Sequence, residues 1–193
     1  HPMYRRQRQM CIRDRANTDA PNGFTPAYHL YGGTIRPQKL RIASGTSAAI
    51  FNGDVVNLSS GYVIQGTATG TPAGVFAGCF YTATDGTPTY STFFPASTAT
   101  LGSADVEAYV YTDPAIVYEA QFTAGTPAVS FIGDKYTIST TAGSTINGRS
   151  KEGVTATTSS GIALLNRFVD SPSNSIGANA RGYFSFPTNV FAV

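Results

Sequence analysis

Few residues in this chain are equipped for covalent or metal chemistry, and their spacing suits neither. It holds two histidines and two cysteines, of which His1 and Cys11 fall in an arginine-rich opening stretch. That leaves His29 and Cys79. A Ser or Cys nucleophile needs a base that a third group orients. His29 lies between Pro26 and Gly32-Gly33, a poor setting for holding a base, and reads as structural. No Gly-x-Ser-x-Gly elbow occurs, since Gly45-Thr-Ser-Ala-Ala49 lacks the second glycine. One His and one Cys cannot complete a zinc tetrad. Asp85, Asp105, Glu107, Asp113 and Glu119 are too dispersed for a calcium loop. Glu107 and Glu119 fall on what read as neighbouring strands, so a glycosidase-like carboxylate pair is the one enzymatic arrangement on offer. Gly66–Gly74 lacks the Lys-Ser/Thr and helix of a phosphate cradle. The expectation is a protein without catalytic residues, cofactor or metal.

Cys79, within Val75-Phe-Ala-Gly-Cys-Phe-Tyr81, reads as a buried core thiol. A single thiol cannot staple the fold. No apolar run approaches membrane-spanning length, so no membrane partner is expected.

Aromatic side chains are more informative. Asn17-Thr-Asp-Ala-Pro-Asn-Gly-Phe-Thr-Pro-Ala-Tyr-His-Leu-Tyr-Gly-Gly33 has prolines and glycines but no helical period, and reads as an extended leader. Phe24, Tyr28, Leu30 and Tyr31 would each gain roughly 1.5–3 kcal/mol from full burial. A segment without its own core must bury them on the body of the chain or on a neighbouring subunit.

The stretch before the leader reads differently. Met10-Cys-Ile-Arg-Asp-Arg15 and Tyr4-Arg-Arg-Gln7 resemble two frames of a translated sequencing adapter, so residues 1–15 are expected to be a non-native extension. They hold five arginines and Asp14; without them, 8 basic and 10 acidic groups remain, a net charge of −2. A domain without a basic surplus lacks the electrostatic footprint of nucleic-acid binding.

The remaining residues suit one domain with one core. Thr, Tyr, Phe and Val favour pleated, half-buried surfaces, and frequent Gly and Pro punctuate short segments. Strands are expected at Lys39–Ala43, Val55–Leu58, Tyr62–Gln65, Ala73–Thr82, Thr87–Phe94, Val106–Tyr111, Ile116–Phe122, Phe131–Ile138, Gly153–Thr157, Ile162–Val169 and Asn179–Phe186. Ser139–Ser160 otherwise reads as a long loop. Such spacing predicts an all-β, single-domain barrel or sandwich. An extended arm, 16–38, precedes the β domain, 39–193.

Several blocks, in order, resemble a family of tailed-bacteriophage head decoration, or capsid cement, proteins. They are Asn17–Pro26, His29–Gly33, Phe51-Asn-Gly-Asp-Val-Val56, Gly74–Gly78, Pro95–Ala99, Asp113-Pro-Ala-Ile-Val-Tyr-Glu-Ala-Gln121 and Arg167–Arg181. The resemblance implies a virion structural protein on the outer surface of the icosahedral head. Its partners would be the major capsid protein and itself, as a homotrimer. A Thr/Ser/Gly-rich insertion around Ser139–Ser160 departs from that family.

Such a subunit needs apolar anchors within a polar rim. The candidate interface residues are Pro21, Phe24, Pro26, Tyr28, His29 and Tyr31 in the leader, with Phe184, Phe186 and Phe191 near the other end. On this reading, deleting residues 1–31 leaves a folded body with weak head affinity. The alternative is a tail or fibre component with a carbohydrate-binding sandwich, for which Tyr109, Tyr111 and Tyr118 would form the platform.

Overall fold

The computed structural model describes residues 17–158 and 161–192, so the adapter-like stretch 1–15 lies outside the described residues. The fold is all-β, as the alternation and turn chemistry predict. In chain order the strands are β1 (Thr25–His29), β2 (Gln38–Ile42), β3 (Val55–Ser59), β4 (Tyr62–Gln65), β5 (Gly74–Thr82), β6 (Pro88–Ser91) and β7 (Val106–Tyr111). They continue with β8 (Ile116–Ala124), β9 (Lys135–Tyr136), β10 (Ile138–Ser139), β11 (Gly153–Thr155), β12 (Ala163–Phe168) and β13 (Arg181–Ser185). Ser60 and Gly61, both at positive φ, turn β3 into β4 in the manner of a primed hairpin turn.

Two sheets result. One runs β2-β7-β5-β3-β4, with β6 added on β5. The other runs β10-β11-β8-β13-β12-β9, with β1 added on β8. Its two end strands, β9 and β10, are separated in the chain by Thr137 alone, so this sheet nearly closes into a barrel.

Each sheet has its own core, where the composition suggested one. Around the barrel-like sheet cluster Phe24, Tyr118, Phe122, Tyr136, Phe184 and Phe186 with aliphatic residues. Inside the other sheet lie Ile42, Ile50, Val56, Val63, Phe76, Cys79, Phe94, Val106, Ala108 and Val110. The wall between them is built by strand alternation, since successive side chains point to opposite faces. Val55 and Val75 belong to the first core, while their neighbours Val56 and Phe76 belong to the second.

β8 is the hub of the barrel-like sheet. Ile116, Tyr118, Ala120 and Phe122 alternate into the core. One edge pairs with β13, while the other is shared: β1 covers Ile116–Glu119 and β11 runs parallel against Phe122 and Ala124. The arm expected over 16–38 is thus partly a strand of the body.

Candidate functional site

The leader is fastened along most of its length. Gln121, buried on β8, donates to the Thr18 carbonyl (2.7 Å) and accepts from the Ala20 N–H (3.0 Å). Asn17 donates to the carbonyls of Ser175 and Ala178. Pro21 is half-buried beside this track. Gly23 then makes the closest approach, its N–H donating to the Glu152 carbonyl (3.2 Å). At φ +70°, with a Cβ that would stand 2.7 Å from the Gly53 carbonyl oxygen, position 23 accepts only glycine comfortably.

Phe24 enters the first core completely, its ring 5.3 Å from Phe186 and 6.4 Å from Phe184. Phe184 and Phe186 are buried with it. These three rings, expected to face a partner, are sheltered by their own chain. The leader found its core on the body because β8 had an unpaired edge and the barrel had room for one ring. Deletion of residues 1–31 would consequently remove a strand and a core aromatic, so it is expected to cost stability as well as any affinity for a partner.

Farther along, the side chains emerge. Pro26 is half-buried opposite Tyr118, and the register slips at Ala27. A proline and a bulge blunt the outer edge of β1 against strand addition. Tyr28 meets Tyr183 edge-on at 5.5 Å, with the Arg167 guanidinium 4.7 Å from the Tyr183 ring and 5.6 Å from Tyr28.

His29 locks the end of the leader. Nδ1 accepts from the N–H groups of Tyr31 (3.1 Å) and Gly33 (3.0 Å), so its proton sits on Nε2 and is donated to Asp113 (3.1 Å). Asp113 in turn accepts from Ala115 N–H (2.8 Å), and Ala115 accepts from Leu30 N–H (2.9 Å). Both ring nitrogens are engaged within the chain.

The same turn, Thr112–Ala115, receives the tail. Buried Asn189 donates to the carbonyls of Thr112 (3.2 Å) and Ala73 (3.4 Å), and Val190 N–H donates to Pro72 (2.9 Å). Leader and tail therefore end on one turn, and what they leave outside is apolar: Tyr31 is 85% exposed, Leu30 49%, Val190 47% and Phe191 38%. Of the sequence candidates, only Tyr31 and Phe191 are both aromatic and exposed here. Leu30 and Val190 join them, and Val190 carried no signal beyond being apolar in a short tail.

The carboxylates are rearranged relative to expectation. Glu107 lies on β7, bound to Lys39 Nζ (2.8 Å) and the Tyr109 hydroxyl (2.7 Å). Glu119 lies on β8, bound to Arg181 (2.8 Å). Their strands belong to different sheets, so the neighbouring-strand pair is corrected. The Lys39 ammonium holds the Glu107 carboxyl below its usual range, and the Thr87 N–H does the same for Asp85 in its turn. The buried acid pair is instead Asp54 with Glu152, both fully inaccessible. Sequence reading missed it because the two are far apart in the chain and Glu152 sits in a polar, loop-like stretch.

The three-tyrosine platform is also corrected. Tyr118 is buried, its hydroxyl donating to the Tyr111 carbonyl (3.2 Å), and Tyr111 packs partly against the first core. Tyr109 pairs with exposed Tyr90 at 6.1 Å. Burial pushes the Cys79 thiol up to about 12, far from a reactive thiolate.

Among the described residues, no three His, Cys, Asp or Glu side chains gather as a metal site, and no helix is long and apolar enough to cross a membrane. Compared with family models, curated proteins and solved structures, the chain gives no match in any of the three.

Proposed function

We propose that this chain is a bacteriophage virion structural protein, a capsid decoration or cement protein that binds the outer surface of the icosahedral head. The observation that carries the reading is that leader and tail are both bonded to the Thr112–Ala115 turn and that the apolar residues beside those bonds, Leu30 and Tyr31, Val190 and Phe191, stay exposed. Exposed aromatics grouped on a charge-poor surface suit a desolvated contact. The ordered sequence blocks supply the partner, the major capsid protein, with a homotrimer as the bound form. A cement protein acts by mass action, binding the assembled shell and not the free subunits.

The test is co-sedimentation with undecorated heads. Tyr31→Ala with Phe191→Ala removes one ring that is 85% exposed and one that is 38% exposed, so the variant keeps its fold with at most a small drop in melting temperature, checked by circular dichroism. If each ring is a contact hot spot worth about 1–2 kcal/mol, head affinity falls roughly 30- to 1000-fold. Unchanged occupancy would sink the reading.

A second reading, a tail or fibre component that binds carbohydrate, draws on the outer face where Tyr90, Tyr109, Glu107 and Lys39 adjoin. Copy number separates the two, because decoration requires hundreds of copies per particle and a fibre far fewer. Loss of glycan-array binding in Tyr90→Ala would favour the second.

A further inference from the structure

Asp54 and Glu152 are fully buried, yet no Lys, Arg or His makes an ion pair with either among the described residues. Each has one satisfied oxygen. Asp54 Oδ2 accepts from Phe51 N–H (2.7 Å), and Glu152 Oε2 accepts from Val55 N–H (2.8 Å). The other two oxygens, Asp54 Oδ1 and Glu152 Oε1, have no hydrogen-bond partner. A buried carboxylate without a compensating charge is strongly disfavoured, and two neighbouring ones more so.

One proton resolves this. Placed on either acid, it removes one of the two uncompensated charges and gives that carboxyl a donor to offer the other, which stands close by because Glu152 accepts from the N–H of Val55, the residue after Asp54. A divalent cation fits less well, since calcium takes about 6–8 oxygen ligands and only two side-chain oxygens are available. We infer that Asp54 and Glu152 share a single proton, and that this proton fastens the leader to the body and makes the fastening sensitive to pH.

The connection to the leader is through the backbone. The Glu152 carbonyl accepts from Gly23 N–H (3.2 Å), and the Gly53 carbonyl, one residue before Asp54, accepts from Phe24 N–H (2.8 Å). Both acids therefore stand directly behind the groups that grip the leader. Among the described residues, no Lys, Arg or His forms an ion pair here. Arg149 and Lys151 are exposed, alternating with buried Ser150 and Glu152. The leader contributes Asn22, Gly23 and Phe24 at this point, the preceding turn Phe51–Gly53, and the starts of β3 and β5 only apolar residues.

The two acids are not equivalent. Each has one backbone N–H to support its charge, Phe51 for Asp54 and Val55 for Glu152, but Glu152 also lies under the Asp54 charge. Burial raises Asp54 to about 6. Burial first, and the Asp54 charge second, raise Glu152 to about 9, so Glu152 is the proton holder at neutral pH. Both folded-state values lie above those of the unfolded chain. The folded state then binds more protons than the unfolded one, and stability falls as pH rises from the ordinary carboxylate range through about 9.

The test combines thermal melting from about pH 6 to about pH 10 with hydrogen exchange at the Gly23 and Phe24 amides, corrected for intrinsic rates. Wild type should lose roughly 5–10 °C across that range, with the leader amides opening as the loss begins. Glu152→Gln keeps an oxygen for Val55 N–H and supplies a permanent N–H to Asp54. It should flatten the loss and keep the leader amides protected. Asp54→Asn removes the neighbouring charge and should move the alkaline midpoint to lower pH. A wild-type slope preserved in both variants would overturn the inference. So would a calcium- or magnesium-dependent rise in melting temperature that Glu152→Gln abolishes, because a cation would then occupy the proton's place.

Discussion

The two sheets solve the same burial problem with different parts of the chain. The β2–β7 sheet is assembled from one contiguous stretch, Gln38–Tyr111, in which β3–β4 and β5–β6 are hairpins and β7 returns to pair with β2, and its core is mainly aliphatic. The barrel-like sheet draws on Thr25–His29 and then on Ile116–Ser185, and its core is rich in aromatic rings. Phe122 alone has Phe131, Tyr136, Phe168 and Phe184 as ring neighbours. The local sheet is completed within its own stretch, its longest closure being β2 on β7 across residues 43–105, while the other must recruit a strand and a ring from beyond that stretch, which costs loop-closure entropy. Dependence on the leader is therefore centred on the barrel-like sheet and reaches the other only through the faces of β3 and β5 whose Val55 and Val75 share the first core with Phe24.

The largest test of that contrast is Phe24→Ala. It empties a ring-sized site in the first core and should cost about 3–5 kcal/mol. Hydrogen exchange should show the barrel-like sheet loosened before the β2–β7 sheet; equal loosening would erase the distinction. Gly23→Ala should follow at about 1–2 kcal/mol from its left-handed backbone, with additional displacement of the leader away from Gly53. Ile42→Val, in the aliphatic core, should cost about 0.5–1.5 kcal/mol and leave the leader amides protected. Arg181→Ala breaks a half-exposed ion pair with Glu119 that is worth about 1 kcal/mol or less in equilibrium unfolding. Smallest is Tyr31→Ala, whose effect on stability should stay within about 0.5 kcal/mol because the ring is in solvent.

Strand positions were readable because alternation and turn chemistry are local. Val106–Tyr111 and Tyr62–Gln65 occupy the positions expected of them, and Ser59-Ser-Gly61 makes the turn it reads as. Thr87–Phe94 shortens to Pro88–Ser91, and Phe131–Ile138 breaks into a short 3-10 turn and the small strands β9 and β10. Thr25–His29 was not read as a strand because Pro26 and the bulge at Ala27 disrupt its alternation. The blocks that carry the phage resemblance also meet one another in space: Asn17 on Ser175, Gly23 and Phe24 beside Gly53, Gly53 on Phe76, and Gln121 on Thr18. Their pattern is in part a record of internal packing.

For the candidate site, residue type indicated which side chains want burial but not which surface provides it. Phe24 and Tyr31 look alike in the leader, yet one is sealed in a core and the other faces solvent.

Composition and periodicity by themselves determined the β class and the turns. Those properties are set within a few neighbouring residues. The tertiary structure alone decided that leader and tail end on one turn, that Phe24 is internal, and that Glu152 is buried against the start of β3 beside Asp54. Each depends on pairings across long stretches of chain, such as Val154 with Phe122 and Asn189 with Thr112. Local pattern carries no register for such pairings, because many partners of equal hydrophobicity compete until one packing fills the space.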